Sequence, residues 1–428
     1  MTGSSFGTDR ETALRLDRED PLKRFRARFH LPHRAGGTPL VYLLGNSLGP
    51  QPVGTSAYVG DTLQAWAERG VEGHFQGPEP WLSYAEPLNE MTAEIVGAHP
   101  SEVVLMNALT VNLHLMLASF YRPSPDRFRI LVEEHLFPSD RYALASHLEL
   151  RGQDPASALT ECQSRAGERT LRTGDIERLL QEEGDTIALV FFAGVHYYTG
   201  QAFDLERITR AAHGAGAIAG FDLAHAAGNI PLKLHDWEVD VALWCSYKYL
   251  NAGPGSPGGV FVHERHHARN DLPRLAGWWG ESPEKRFAMR PAFEPAPGAA
   301  GWQVSNPPVL MLAAYRASME IFREAGMERL RAKSLLLTGY LEFLLDHVKD
   351  DSFEIITPRN PAERGAQLSL FMKRDGKRVF DGLTHAGFLA DWRDPNVIRV
   401  APTPLTTTFE EVFAFVGTFE QLIGKEQA

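Results

Sequence analysis

AIAGFDLAHAAGNIPLKLHDWEVDVALWCSYKYLNAGPG (217–255) is the stretch on which the fold turns. It holds two short apolar runs, AIAGF (217–221) and DVALWC (240–245), each followed by a polar residue suited to chemistry. Continuous apolar runs of this length read as strands buried on both faces, the pattern of a mostly parallel sheet covered by helices. The first run delivers Asp222 and the second delivers Lys248, so both stand where ligands bind in such sheets, at strand carboxyl ends.

Working outward, the alternation continues. VVLM (103–106) precedes a helix from Thr110, RILV (129–132) precedes a helix after Pro138, and IALVFFA (187–193) precedes a helix around 204–213. This predicts an α/β fold with a mostly parallel central sheet. Residues 1–40, Arg-rich with Pro32, Gly36, Gly37 and Pro39, predict a short amphipathic helix and an irregular arm wrapping the main body. The Pro/Gly-rich stretch 291–301 predicts a crossing between domains, followed by long helical patterns (309–348) and short strands near 353–356, 367–372 and 397–400. The expected organisation is an arm (1–40), a large α/β domain (41–304) and a smaller α+β domain (305–428).

Composition narrows the function. The formal charge of −11 works against a nucleic-acid partner, which needs clustered Lys and Arg, and favours a small-molecule substrate. No run of about 18 apolar residues and no leader-like N-terminus occur, so a cytoplasmic protein with no membrane partner is expected. Cys162 and Cys245 lack ligand spacing, which predicts neither disulfides nor structural zinc. His263, His266 and His267 lie among Glu264, Arg265 and Arg269 and read as a solvated surface with no metal. Gly253-Pro-Gly255-Ser-Pro-Gly258 matches a dinucleotide pattern, but Pro254 and Pro257 remove backbone donors and a strand follows.

A lysine entering an apolar neighbourhood suits a Schiff-base amine, and a carboxylate at a nearby strand end suits a protonated pyridine nitrogen. Together Lys248 and Asp222 point to pyridoxal 5'-phosphate (PLP). Leu109 and Thr110 open a helix whose N–H groups could hold the phosphate, or Thr110 is a plain cap. Phe137, before Pro138, Ser139 and Asp140, could stack on the ring or fill the core. His225 is either a cofactor neighbour or a structural histidine.

The segments YLLGNSLGPQP (42–52), NALTVN (107–112), HLFPSD (135–140), GVHYYTGQ (194–201), GFDLAHAAGNIPLKLHDWEVD (220–240), WCSYKYLNAGPG (244–255), LAGWWGE (275–281), SNPP (305–308) and IRVAPTPL (398–405) resemble the kynureninase family. That resemblance implies a fold-type I PLP-dependent transferase-like architecture and hydrolysis of the Cβ–Cγ bond of L-kynurenine or 3-hydroxykynurenine in tryptophan catabolism. It assigns Lys248 to the Schiff base, Asp222 to the pyridinium nitrogen, and Tyr247 to proton transfer. It assigns Leu109, Thr110, Phe137, Pro138, Ser139, Asp140, His225, Trp278 and Asn306 to the cofactor, with Trp278 reaching across a homodimer interface. Arg399 is implied as the grip on the substrate carboxylate, and Ser47, His74 and Asn306 as a set preferring a ring-hydroxylated substrate. Two positions depart from the family pattern: Ala193 replaces a small hydroxyl residue, and Thr406-Thr407 replaces Tyr-Asn. A cysteine desulfurase or aminotransferase, or a catalytically silent PLP-binding regulatory protein, are the competing readings.

Overall fold

The computed structural model describes residues 6–424; residues 1–5 of the expected arm and 425–428 of the expected C-terminal domain lie outside them. Seven strands form the main sheet: β1 (Val103–Met106), β2 (Arg129–Glu133), β3 (Leu159–Cys162), β4 (Ile187–Ala193), β5 (Ile218–Asp222), β6 (Val241–Trp244) and β7 (Gly258–Val262). Their order is β1-β7-β6-β5-β4-β2-β3. β3, β2, β4, β5 and β6 run parallel, whereas β7 is antiparallel to both neighbours, β6 and β1. The parallel majority follows from the apolar runs: Val190, Ala219, Ala242 and Val260 are fully buried, and two hydrophobic clusters cover the sheet's faces. β3 was not foreseen, because LTEC is an edge strand with three half-buried residues and carries no apolar run.

The C-terminal sheet comprises β8 (Phe353–Ile355), β9 (Leu368–Met372), β10 (Asp391–Arg393) and β11 (Val397–Val400), all antiparallel in the order β8-β9-β11-β10. Helices Met327–His347 and Phe409–Ile423 bury Leu341, Leu345, Phe415 and Phe419 against it. The helical patterns predicted over 309–348 are two helices meeting at Gly326, whose φ of 78° suits glycine. The first of them, Val309–Ala325, buries Leu312, Tyr315 and Met319 in the larger core, so the boundary expected at 305 precedes a helix that packs with the main sheet.

The arm's helix Arg10–Glu19 places Ala13 and Leu16 in the C-terminal core. Its Asp17 carboxylate accepts the Phe409 and Glu410 N–H groups at 2.8 and 3.0 Å, satisfying orphan donors at the start of the last helix. The arm thus belongs with the chain's other end. At the end of the Pro/Gly-rich stretch, Gly298–Trp302 form a 3-10 turn whose Ala299 and Trp302 are buried against the main sheet.

The solvated surface expected around His263 and His266 is also overturned, because both are buried. β6 begins beside Asp240, which accepts from His266 at 2.7 Å, His213 at 2.8 Å, the Arg265 guanidinium at 2.5 Å and the Ala219 N–H at 2.8 Å. Glu102 accepts from the His99 and Glu264 N–H groups at 2.8 and 2.9 Å and from His235 at 3.0 Å. Ligand atoms of Glu102, His235 and His263 lie within 4.8 Å of one another. Both Glu102 oxygens are already occupied by N–H donors, and His263 Nδ1 accepts the Arg265 N–H, so the cluster reads as a cross-link between loops.

Candidate active site

The segments at the carboxyl ends of β1, β2, β4, β5 and β6 contribute to one cavity of about 370 Å³. Ser47, Leu109, Thr110, Phe137, Ser139, Asp140, Asp222, His225, Tyr247, Lys248 and Arg399, all anticipated from sequence, line it together. Asp222 ends β5, where its Oδ1 accepts the Ala224 N–H at 2.7 Å and so orients the carboxylate. Lys248 follows β6 in a tight turn: the Asn251 N–H donates to the Lys248 carbonyl at 2.9 Å with Asn251 at φ 52°. The turn is backed by Gly49, whose N–H donates to the Tyr247 carbonyl at 2.8 Å. A Cβ at Gly49 would lie 2.5 Å from the Lys248 carbonyl, so glycine is required there.

Two helices begin at one side of the cavity, Leu109–Phe120 and Pro138–Leu150, and the Thr110 and Ser139 hydroxyls meet at 2.9 Å. Convergent helix N-termini with two hydroxyls make an anion site, and Pro138 at the first helical position sacrifices no useful donor. Phe137 spans the middle: its ring lies 5.8 Å from the Lys248 ammonium and meets Tyr197 edge-on at 5.1 Å.

The far side holds Lys248 Nζ 3.1 Å from His225 Nε2, with Asp222 and Asp140 nearby. Burial holds His225 well below the usual histidine range, and the Lys248 charge adds to this, so the ring is neutral and accepts from the ammonium. Burial pushes Asp222 up while Lys248 pulls it down; Asp140 is pushed well above the carboxylate range by burial and then by Asp222's charge. Asp140 is therefore the member of the pair that keeps a proton. His225 Nδ1 and Asp140 Oδ1 are buried without a hydrogen-bond partner among the described residues. Burial also raises Tyr247, keeping its phenol protonated.

Arg399 lies within β11, fully buried, donating to the Tyr197 carbonyl at 2.7 Å and to Asp391. Its Nε and that of Arg393 have no hydrogen-bond partner among the described residues. Sequence reading missed Arg393, Tyr197, Asn46 and Cys245, which also line the cavity. Tyr197 stood inside the GVHYYTGQ motif, but nothing distinguished it from its neighbour Tyr198. Thr406 and Thr407 stand outside the cavity, bonding within their own turn to Thr403 at 2.8 and 3.0 Å.

Four anticipated residues do not line the cavity: Pro138, which opens the helix beside it, and His74, Trp278 and Asn306. His74 packs edge-on against Trp81 at 5.1 Å, and Trp278 against Phe287 at 5.5 Å. Phe75 links the two, 6.3 Å from His74 and 6.1 Å from Phe287, so they form one aromatic ridge, with Trp278 44% exposed. Asn306 is exposed just before Pro307.

The donor set fits PLP: an amine, a carboxylate pair and an anion cradle stand around one ring-sized space, with orphaned polar atoms at its ring-nitrogen end. Solved structures share the fold. C-DES with glycine covalently linked to its PLP cofactor superimposes with a TM-score of 0.75 at 16% identity, over 90% of this chain and 97% of that one. The Escherichia coli cysteine desulfurase CsdA gives 0.72 at 16%, over 94% and 98%. The architecture is thus that of the fold-type I PLP enzymes. A model of the kynureninase C-terminal domain matches residues 330–419. Kynureninases of Koribacter versatilis and Myxococcus xanthus are 54% and 53% identical over 98% of this chain and 99% of each relative. That of Xanthomonas oryzae pv. oryzae is 52% identical over 95% of this chain and 96% of its own length. The chain belongs to the kynureninase family.

Proposed function

We propose that the protein hydrolyses the Cβ–Cγ bond of L-kynurenine or 3-hydroxykynurenine, releasing anthranilate or 3-hydroxyanthranilate and L-alanine. The observation that carries this is the Lys248 amine sharing one cavity with Asp222, Tyr247 and Arg399, in a chain of this family. The bound cofactor supplies an electrophilic carbon and an electron sink. Leu109, Thr110, Ser139 and the helix start at Pro138 hold its phosphate, Phe137 covers its ring, and Asp222 pairs with the ring nitrogen, backed by Asp140. Lys248 Nζ takes the substrate Cα proton, with neutral His225 receiving a hydrogen bond that steers the amine. Tyr247, a protonated phenol, donates at the γ-carbonyl side and at Cβ. Arg399, already oriented by Tyr197 and Asp391, grips the α-carboxylate with its remaining donors.

The reading extends to a cytoplasmic homodimer. No helix among the described residues is long and apolar enough to cross a membrane. The ridge from His74 to Trp278 is exposed next to an apolar groove of about 450 Å³ formed by Trp66, Trp81, Pro308 and Leu310. Exposed aromatic side chains beside an apolar groove call for a covering surface. A second copy fits it, bringing Trp278, His74 and Asn306 to the partner's cavity. Ser47, His74 and Asn306 would then supply polar partners to a ring hydroxyl, favouring 3-hydroxykynurenine.

A desulfurase needs an exposed, mobile thiol. Cys162 and Cys245 are both buried, and burial pushes Cys162 up to about 11. The decisive experiment supplies kynurenine and 3-hydroxykynurenine to the PLP-loaded protein and measures the fluorescent anthranilates and alanine. Absence of both products with both substrates rejects the reading. Mixing Lys248→Ala with Trp278→Ala chains tests the dimer: recovered turnover shows that the two residues act from different subunits.

A further inference from the structure

Three carboxyl groups close the cavity at its inner end. Asp222 ends β5, Asp140 lies in the first turn of helix Pro138–Leu150, and Glu133 ends β2. All are buried, Glu133 to 1% exposure, in a narrow recess shared with Ala193, Tyr197, His225 and Lys248. Asp222 and Asp140 have duties in the proposed reaction. Glu133 has none.

Its partners are unusual for a buried carboxyl. Among the described residues, the one hydrogen bond to Glu133 is from the Ala193 N–H, 3.2 Å from each oxygen, and no side-chain donor or cation pairs with it. The charged and titratable groups of the recess come from each packed element: Asp222 and His225 from β5 and its following turn, Asp140 from the helix, Tyr197 after β4, and Lys248 after β6. Lys248 is the recess's single cation, since His225 is neutral. Three ionised carboxylates against one ammonium would leave uncompensated negative charge in a buried recess, where ions are far less well solvated than in water.

We infer that Glu133 is a positioning residue for the ring-nitrogen end of the cofactor: a neutral acid that, by keeping its proton, leaves the Asp140–Asp222 pair to carry the one negative charge the pyridinium requires. The inference rests on the PLP reading above. Burial pushes Glu133 up to about 8; the backbone N–H groups oppose this and the charge of Asp222 adds to it. At neutral pH the acid is intact. Above that value Glu133 ionises and adds a second negative charge beside the aspartates, which stabilises positive charge on the cofactor and at Lys248.

The test is a pH titration of the visible absorbance of the PLP-loaded protein from about pH 6 to 10, spanning the shifted carboxyl and the cofactor itself. Glu133→Gln keeps an acceptor for the Ala193 N–H but cannot ionise. Wild type is expected to need two linked ionisations and Glu133→Gln one, with its midpoint lower by about half to one pH unit. Glu133→Ala, which also removes the acceptor, should lose the same ionisation. A Glu133→Gln titration superimposable on wild type overturns the inference, as does a change confined to Glu133→Ala, which would make Glu133 only an acceptor. Infrared spectroscopy of the wild-type holoenzyme checks the same point without a variant. A protonated-carboxyl C=O band should vanish as pH rises through about 8, and its absence at neutral pH overturns the inference. If wild type develops no visible band with PLP, the cofactor reading itself fails, and that outcome is distinguishable from all the others.

Discussion

The main sheet carries buried carboxylates at both its edges, and they are treated in opposite ways. Asp240, before β6, receives two imidazoles, a guanidinium and a backbone N–H. Burial would push it up, but the bonds from His213 and His266 and the charge of Arg265 hold it far below the carboxylate range. Asp222, after β5, receives one backbone N–H and is left raised, beside an Asp140 oxygen with no partner. One carboxylate is saturated by the protein; the other is held in readiness for something the protein does not contain. Both edges hold buried charge, so burial alone does not mark the functional one. Unfilled hydrogen-bonding capacity does.

The sharpest way to break the comparison is at the unsaturated edge. Lys248→Ala should lower turnover by on the order of 10⁴-fold or more, since it removes both covalent anchor and base, with the melting temperature of the apo-protein little changed. Asp222→Ala should lower turnover by roughly 10²- to 10³-fold and weaken PLP binding, measured by fluorescence titration. Retention of most of the rate would mean that Asp140 or Glu133 serves the ring nitrogen instead.

At the saturated edge the effect should fall on stability. Asp240→Ala strands a buried imidazole and part of a guanidinium, and about 3 kcal/mol of unfolding free energy should be lost in denaturant titration while the PLP absorbance is unaltered. Because the folded value of Asp240 is depressed, its contribution is complete above the ordinary aspartate value near 4 and disappears as pH falls below it. The smallest effect concerns His235, which its hydrogen bond to Glu102 raises above the usual histidine value. Its contribution is complete below about pH 6 and is lost as pH rises through the raised value. His235 is partly exposed, so His235→Ala should cost only a few tenths of a kcal/mol to about 1 kcal/mol, and should flatten the stability profile between about pH 6 and 8.

The two edges were not equally legible in the sequence. The active edge could be read because its parts end apolar runs: Asp222 and Lys248 each interrupt a buried strand pattern, and the Thr110 and Pro138–Asp140 positions open helices. The histidines at the other edge were misread as surface, because Asp240 and Glu102 lie far from His263 and His266 in the chain, and a polar run looks the same whether water or a distant carboxylate satisfies it. Arg393 and Tyr197 were missed for a related reason. Their place in the cavity comes from the C-terminal sheet meeting the main one, a long-range docking with no local periodicity. Ala193 was flagged as a lost hydroxyl, and its backbone proves to be the part that matters, as the donor to Glu133.

The strand order carries a consequence for how the protein is made. β7 sits between β6 and β1, so β1 waits for residues 258–262 before it has any partner in the sheet. Asn46, beside Ser47 in the cavity wall, is hydrogen-bonded at 2.8 Å to Gln367 in front of β9, and Arg399 comes later still. A chain emerging from the ribosome therefore exposes Lys248 long before the wall around it exists. Cofactor capture and substrate selection become possible only when nearly the whole polypeptide has been synthesised, which guards the reactive amine from service in an incomplete molecule.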